Sequence, residues 1–239
     1  MSLSAPLTVV VPLKDEEEGL DALAAALDSL AQDLGGAGAL QFVLVDDGSD
    51  DRTWELLQQR YAQRPEVQLC RHERNRGIAA AIRTGLQAAR TELVASIDGD
   101  LSYDPRELPA MVAAMGDADL VTASPYHPRG GVAGVPAWRL LLSRTLSRAY
   151  RLLLRSDVHT WTSCFRVYRR ASVVDLPLVH ERFLGTAELL VRVLRRGGCV
   201  VEHPCVLATR RFGQSKLKIG RTILGHVRLL WQVLTRQIR

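Results

Sequence analysis

The segment LVASIDGDLSYDP, residues 93–105, ends an apolar run with Asp98-Gly99-Asp100. Two carboxylates one residue apart repel unless a cation, an array of donors or open water separates them. At a strand tip, such a pair suits Mg2+ or Mn2+, whose remaining hard-oxygen positions are left for a diphosphate and water. A cation held there neutralises charge gathering on a leaving group as a glycosidic or phosphoryl bond breaks. The structural alternative is turn chemistry, because Asp-Gly after a strand and Asp or Ser before a helix need no ligand. Asp46-Asp47 and the Pro12-to-Glu16 turn also follow apolar runs. Three such turns together favour a ligand-binding rim over three unrelated turns.

These residues need elements to bring them together. LTVVVPL, LQFVLVDDGS, VQLCRH and ELVASID read as strands. Helical spacing separates them in EEEGLDALAAALDSLAQDL, DRTWELLQQRYAQ and NRGIAAAIRTGLQAAR. The alternation predicts an α/β fold, a doubly wound and mostly parallel sheet with helices on both faces. Ligands bind such sheets at the carboxyl ends of the strands, where all three turns fall. Beyond residue 125 the pattern loosens into the loop HPRGGVAGVP, the helix AWRLLLSRTLSRAYRLLLR, the segment TSCFRVYRR, a helix around FLGTAELLVRVLRR and the strand CVVEHPCVLA. A basic loop, TRRFGQSKLKIG, precedes a closing helix. The expected organisation is one domain over 1–219, with halves 1–125 and 126–219, followed by a basic amphipathic helix over 220–239.

The totals set limits. A chain of 239 residues with 47% hydrophobic content can build one large core. The start, MSLSAPLTVVVPLKDEEEG, lacks the pattern of a signal peptide, and no apolar run approaches the ~20 residues that span a bilayer. The expectation is therefore a cytoplasmic protein, and its four cysteines, without zinc-type spacing, are expected to be reduced. The net charge of +5 hides an asymmetry: residues 1–125 carry 10 Lys+Arg against 21 Asp+Glu, and the remainder carries 21 against 5. The basic half suits an anionic partner, whether nucleic acid, a phosphorylated substrate or a membrane surface. Only 5% of residues are aromatic, and the arginines alternate with leucines, which argues against nucleic acid.

VVVPLKDEEEG, VLVDDGSDDRT, RNRGIAAAIRTGL, SIDGDLSYDP and TSCFRVYRR, in this order, resemble family 2 glycosyltransferases of the GT-A fold. RLLLSR and RRFGQSK are similar to the polyprenyl-phosphate branch, the dolichol-phosphate mannose synthases and their relatives. The resemblance implies inverting transfer of a sugar from a nucleotide-diphosphate sugar, such as GDP-mannose or a UDP-hexose, to a polyprenyl phosphate at the inner face of the cell membrane. It implies that Pro12, Glu16 and Asp47, with Asp46 on the same rim, hold the nucleotide. Asp98 and Asp100 would bind the diphosphate and its Mg2+ or Mn2+, with Ser102 as a further ligand. Arg139 and Ser143 would grip the acceptor phosphate, joined by Arg210 and Lys216 of the basic loop. The chain departs from the family at Lys14-Asp15, where Tyr-Asn is usual, and at Ser102, where Gln is usual. Ala123-Ser124-Pro125-Tyr126 replaces Gly-Ser-Arg-Tyr and loses an acceptor-side arginine, for which Arg129 is a substitute.

A helical wheel tests the acceptor side without the family. Arg144, Arg148, Arg151 and Arg155 cluster on one side of their helix, and Leu142, Leu146, Tyr150 and Leu153 on the other. Arg139 and Ser143 lie with the apolar set, where an arginine must find an anion or reach out to water. In the closing helix, Arg221, Arg228, Gln232, Arg236 and Arg239 oppose Ile223, Val227, Leu230, Trp231, Leu234 and Ile238. Such a helix suits an anionic membrane interface, and packing on a second copy of the chain reads the same way. A phosphate acceptor is already an anionic nucleophile. A sugar hydroxyl would need a base, for which Glu188 is the candidate. A third reading is a non-catalytic binding module for a nucleotide sugar or a nucleic acid.

Overall fold

A computed structural model describes residues 6–34, 39–209, 219–235 and 237–238. The first half runs β1 (Leu7–Leu13), α1 (Leu20–Asp33), β2 (Leu40–Asp46), α2 (Thr53–Tyr61), β3 (Val67–Arg71), α3 (Ile78–Ala88), β4 (Leu93–Ser96), α4 (Leu108–Ala113) and β5 (Leu120–Ser124). The chain continues through β6 (Gly131–Val132), α5 (Ala137–Leu154), β7 (Arg166–Arg169), α6 (Arg170–Val173), α7 (Leu184–Arg195), β8 (Val200–Pro204), β9 (Val206–Leu207) and α8 (Ile219–Leu234). Seven strands form one sheet in the order β3-β2-β1-β4-β7-β5-β8.

Every residue of β1 is buried, because helices cover both faces of the sheet. Its alternate residues enter different cores. Leu7, Val9, Val11 and Leu13 pack with Leu23, Leu27 and Leu30 of α1, whereas Val10 packs with Ala81, Ile82 and Leu86 of α3. A Cβ on Gly85 would come within 2.2 Å of Val10 Cγ1, so only glycine lets α3 lie this close to the sheet.

All strand pairs of the large sheet are parallel except those of β7, which runs against both β4 and β5. The loop 155–165 brings the chain to the carboxyl-terminal rim, where Arg166 pairs with Ser96, so β7 must run down the sheet. That path lays a loop of the second half directly beside the tip of β4.

The structure adds docking faces that the helical wheels did not separate. In α8, Leu229 and Val233 are buried in the second core with Ile238, while Ile223, Val227, Trp231 and Leu234 of the expected apolar face are exposed, as is Leu224. In α5, Tyr150 is buried, but Leu142 is exposed beside Trp138 and Leu141. Each helix carries more apolar surface than its docking face uses.

Candidate functional site

Three turns are tied together at the rim. Asp47 N–H donates to the Leu13 carbonyl at 2.8 Å, joining the ends of β2 and β1. Gly99 lies against Leu13 so closely that a Cβ would stand 2.6 Å from Leu13 Cδ2, joining β4's tip to the same place. Pro12 sits beyond the last β1–β4 pair, Val10 with Ser96, so its missing N–H costs no ladder bond. The expectation that the acidic turns share one rim is met.

The turns after β1 and β2 are zipped side by side. Lys14 Nζ donates to Asp50 Oδ2 at 2.7 Å, the Gly48 carbonyl at 2.8 Å and Asp15 Oδ1 at 3.0 Å. Burial opposes its charge, but the two carboxylates outweigh that and hold its pKa above the ordinary lysine value. Asp15, at φ +53°, occupies the left-handed region and accepts the Asp50 N–H at 2.8 Å. Lys14-Asp15, a departure from the family pattern, therefore forms a clasp between the two turns. Glu16 is half-buried beside it, its N–H bonded to Thr53 Oγ1 at 2.9 Å.

Asp46 and Asp47 are almost fully buried. Asp46 accepts the Ser49 N–H at 3.2 Å and pairs with Arg71 at 3.1 Å. Asp47 accepts the N–H groups of Arg76 and Gly77 at 2.9 and 2.7 Å and bonds to His72 Nδ1 at 2.7 Å. His72 Nε2 is in turn 2.9 Å from Thr84 Oγ1. Asp47 thus fixes the loop 72–77, whose Arg74 and Arg76 reach solvent at the rim. The sequence reading passed over this loop, although RHERNRG just after a strand was its visible signal.

At the tip of β4, Asp98 is half-buried and Asp100 buried. Asp100 Oδ1 accepts the Ser102 N–H at 3.0 Å, and Leu101 between them takes φ +54°. The Ser102 carbonyl accepts the Ala208 N–H at 2.9 Å, so the segment after β9 is pinned to the acidic turn. Cys164 from the rim loop lies alongside: burial first, then the nearby Asp98 charge, pushes its thiol pKa well up. Ser96 Oγ donates to the Cys164 carbonyl, holding the loop in place. Buried Arg166, just beyond the loop, donates to the carbonyls of Thr186 and Trp161 at 2.7 and 3.0 Å. Sequence spacing gives no sign of these roles, since Ser96 reaches 68 residues to Cys164 and Arg166 reaches 20 to Thr186.

No three acidic, histidine or cysteine side chains converge as a metal site among the described residues. The candidate donors are two carboxylates one residue apart and Ser102, whose N–H bonds Asp100 Oδ1. One or two carboxylates completed by substrate phosphates is how Mg2+ is commonly held, so these residues fit a substrate-bridged cation.

The acceptor-side candidates divide. Ser143 is half-buried on the first turns of α5. Arg210, Lys216 and the side chain of Arg139 lie outside the described residues. Glu188 is not placed as a base. It is fully buried and accepts the N–H groups of Val179 and His180 at 3.0 and 2.8 Å, His180 Nδ1 at 2.8 Å and Arg192 Nε at 2.8 Å. Burial would raise its pKa, but these donors outweigh it and hold the carboxyl at about 2. The carboxylate clasps the 177–183 loop to α7. That loop's Glu181 carbonyl accepts the Ala80 N–H at 2.9 Å at the start of α3.

The profile of Glycosyl transferase family 2 matches residues 8–176. The chain is 29% identical to the dolichol-phosphate mannosyltransferase of Pyrococcus furiosus, over 95% of this chain but 63% of that protein's length. It is 30% identical to the polyprenol monophosphomannose synthase of Mycolicibacterium smegmatis, over 87% of this chain and 80% of that one. Among solved structures, it resembles glucosyl-3-phosphoglycerate synthase from Mycobacterium tuberculosis in complex with Mn2+, UDP and glucosyl-3-phosphoglycerate. There the TM-score is 0.70 at 18% identity, with 98% of this chain and 80% of that chain covered. The strand order, the rim of acidic turns and these matches agree, and the chain belongs to glycosyl transferase family 2.

Proposed function

We propose that the protein transfers a sugar from a nucleotide-diphosphate sugar to a polyprenyl phosphate, with inversion, at a membrane surface. The observation that carries this reading is the meeting of the Asp98–Asp100 turn with the rim loop 155–165, two close carboxylates beside a loop of the second half. The relatives named for dolichol-phosphate and polyprenol-phosphate substrates support the choice of acceptor.

In this reading the turns after β1 and β2, with Glu16 at their edge, receive the nucleoside. Asp47 acts by fixing the loop that carries Arg74 and Arg76 rather than by reaching the base itself. Asp98 and Asp100, with the Ser102 hydroxyl, would hold Mg2+ or Mn2+, which when bound supplies Lewis-acid neutralisation of the diphosphate leaving group. Ser143, with Arg139, Arg210 and Lys216, would align the acceptor phosphate. A phosphate monoester has its second pKa near ~6 and attacks without a base, so it needs alignment and charge compensation rather than proton removal. A hydroxyl acceptor is less well served, since Glu188 is spent on its own loop.

The exposed Trp138, Leu141 and Leu142 of α5 and Leu224, Val227 and Trp231 of α8, flanked by Arg144, Arg148 and Arg228, would rest on an anionic membrane. No helix among the described residues is long and apolar enough to cross one.

A panel of GDP- and UDP-sugars with Mg2+ or Mn2+, each with and without a short polyprenyl phosphate, tests the reading through nucleotide release. Release that requires the lipid phosphate is expected for one donor. Transfer to glycerol or sugar hydroxyls instead, with the lipid phosphate inert, would overturn it.

A further inference from the structure

The rim loop carries an imidazole with a built support. His159 Nδ1 lies 2.7 Å from Glu202 Oε2, and Glu202 Oε1 accepts the backbone N–H groups of His159 and Thr160 at 2.8 and 2.9 Å. An ionised carboxylate only accepts, so the ring proton sits on Nδ1 and Nε2 is left for another partner. The Glu202 side chain is 8% exposed and that of His159 25%, which makes the pair fixed at its base and open at its tip. The His127 ring stands edge-on, with centroids 5.8 Å apart at 74°. His127 Nδ1 accepts the Arg129 N–H at 3.1 Å, so neutral His127 carries its proton on Nε2.

The pair sits on the loop that passes the tips of β5 and β4. Thr160 Oγ1, adjoining His159, is 2.8 Å from Ser124 Oγ at the tip of β5. Further along the same loop, Cys164 lies within reach of the charges of Asp98 and Asp100. Among the described residues, Glu202 of β8 and His127 of the 125–136 segment stand against the His159 ring. Asp157, on its own loop, is fully exposed and stands 3.7 Å from Arg151.

We propose that His159, oriented by Glu202 and flanked by His127, binds an oxygen of the acceptor phosphate through Nε2. This rests on the reading of the acceptor as a polyprenyl phosphate. A phosphate monoester offers oxygens that accept from a protonated Nε2 and, when singly protonated, a hydroxyl that donates to a bare one, so either form makes a charge-assisted hydrogen bond.

The test is the Michaelis constant for a short polyprenyl phosphate, with donor saturating. His159→Ala should raise it about tenfold, the worth of one hydrogen bond to a charged group, with its donor constant unmoved. His159→Gln, which keeps a donor, should lie between the alanine variant and the wild type. Should the alanine variant melt early, the glutamine variant carries the test. An acceptor constant unchanged in both variants, or a loss confined to kcat, would overturn the contact. Absence of lipid-phosphate turnover in the wild type would remove the underlying reading, and the contact with it.

Discussion

Glu188 meets donors from Val179, His180 and Arg192 within its own half of the molecule, and these decide its charge. Its folded pKa of about 2 lies below the 4.5 of an open glutamate, so it contributes stability above about pH 4.5 and loses it as pH falls toward 2. The contribution is roughly 3 kcal/mol at neutral pH. Glu188→Gln should therefore lower stability by a similar amount at pH 7, and flatten the acid limb of a denaturant midpoint measured from pH 5 to pH 2. A variant as stable as the wild type at pH 7 would show that the clasp does not hold the loop. Sequence alone made Glu188 a candidate base because it reports residue types, not partners. His180 lies eight positions away in a loop, and no helical wheel places it on that carboxylate. The position of Asp98 and Asp100 at one strand tip was legible for the opposite reason: they lie two residues apart within one turn. Asp47 was half legible, since its rim position followed from the strand pattern while His72 and Gly77 came from 25 and 30 residues away.

The strands and helices of residues 7–96 follow their hydrophobic periodicity closely, because a sheet covered on both faces writes its strands as unbroken apolar runs. The direction of β7 was not legible, since it depends on where the 155–165 loop delivers the chain. α8 shows a further limit, because a wheel separates faces without saying which one docks. Its docking includes a titratable contact: buried His226 is 3.0 Å from Tyr150 Oη of α5. Burial, with a smaller effect from His180, lowers the His226 pKa from 6.5 to about 4. The neutral ring is the one that docks, so stability is present above about pH 6.5 and is lost as pH falls toward 4. Hydrogen exchange on α8 amides should accelerate between pH 6.5 and 4.5, after correction for the intrinsic rate, before α3 amides respond. His226→Gln should remove that early step, and its persistence would assign the acid sensitivity elsewhere. The outer face of the same helix makes a separate expectation. Leu224→Glu with Trp231→Glu should cut co-sedimentation with anionic vesicles at least fivefold, leaving turnover of a short, soluble acceptor near wild type. Unchanged co-sedimentation would contradict membrane contact through this face.

At the scale of the whole chain, an acidic excess lies before residue 125 and a basic excess after it, and the 155–165 loop of the second half runs beside the acidic turn after β4. Of the first half's carboxylates, Asp46 and Asp47 are spent on the fold itself. The acidic turn after β4 is set where the basic half arrives, and on that placement the functional reading depends. Its most direct test compares wild type with Asp100→Asn, following release of nucleotide from the sugar nucleotide with Mg2+ or Mn2+ and a short polyprenyl phosphate. The account expects wild-type release to require both metal and lipid phosphate, and to fall at least a hundredfold in the variant at an unchanged melting temperature. Release that survives the substitution, or that proceeds equally well with metal chelated, would contradict it.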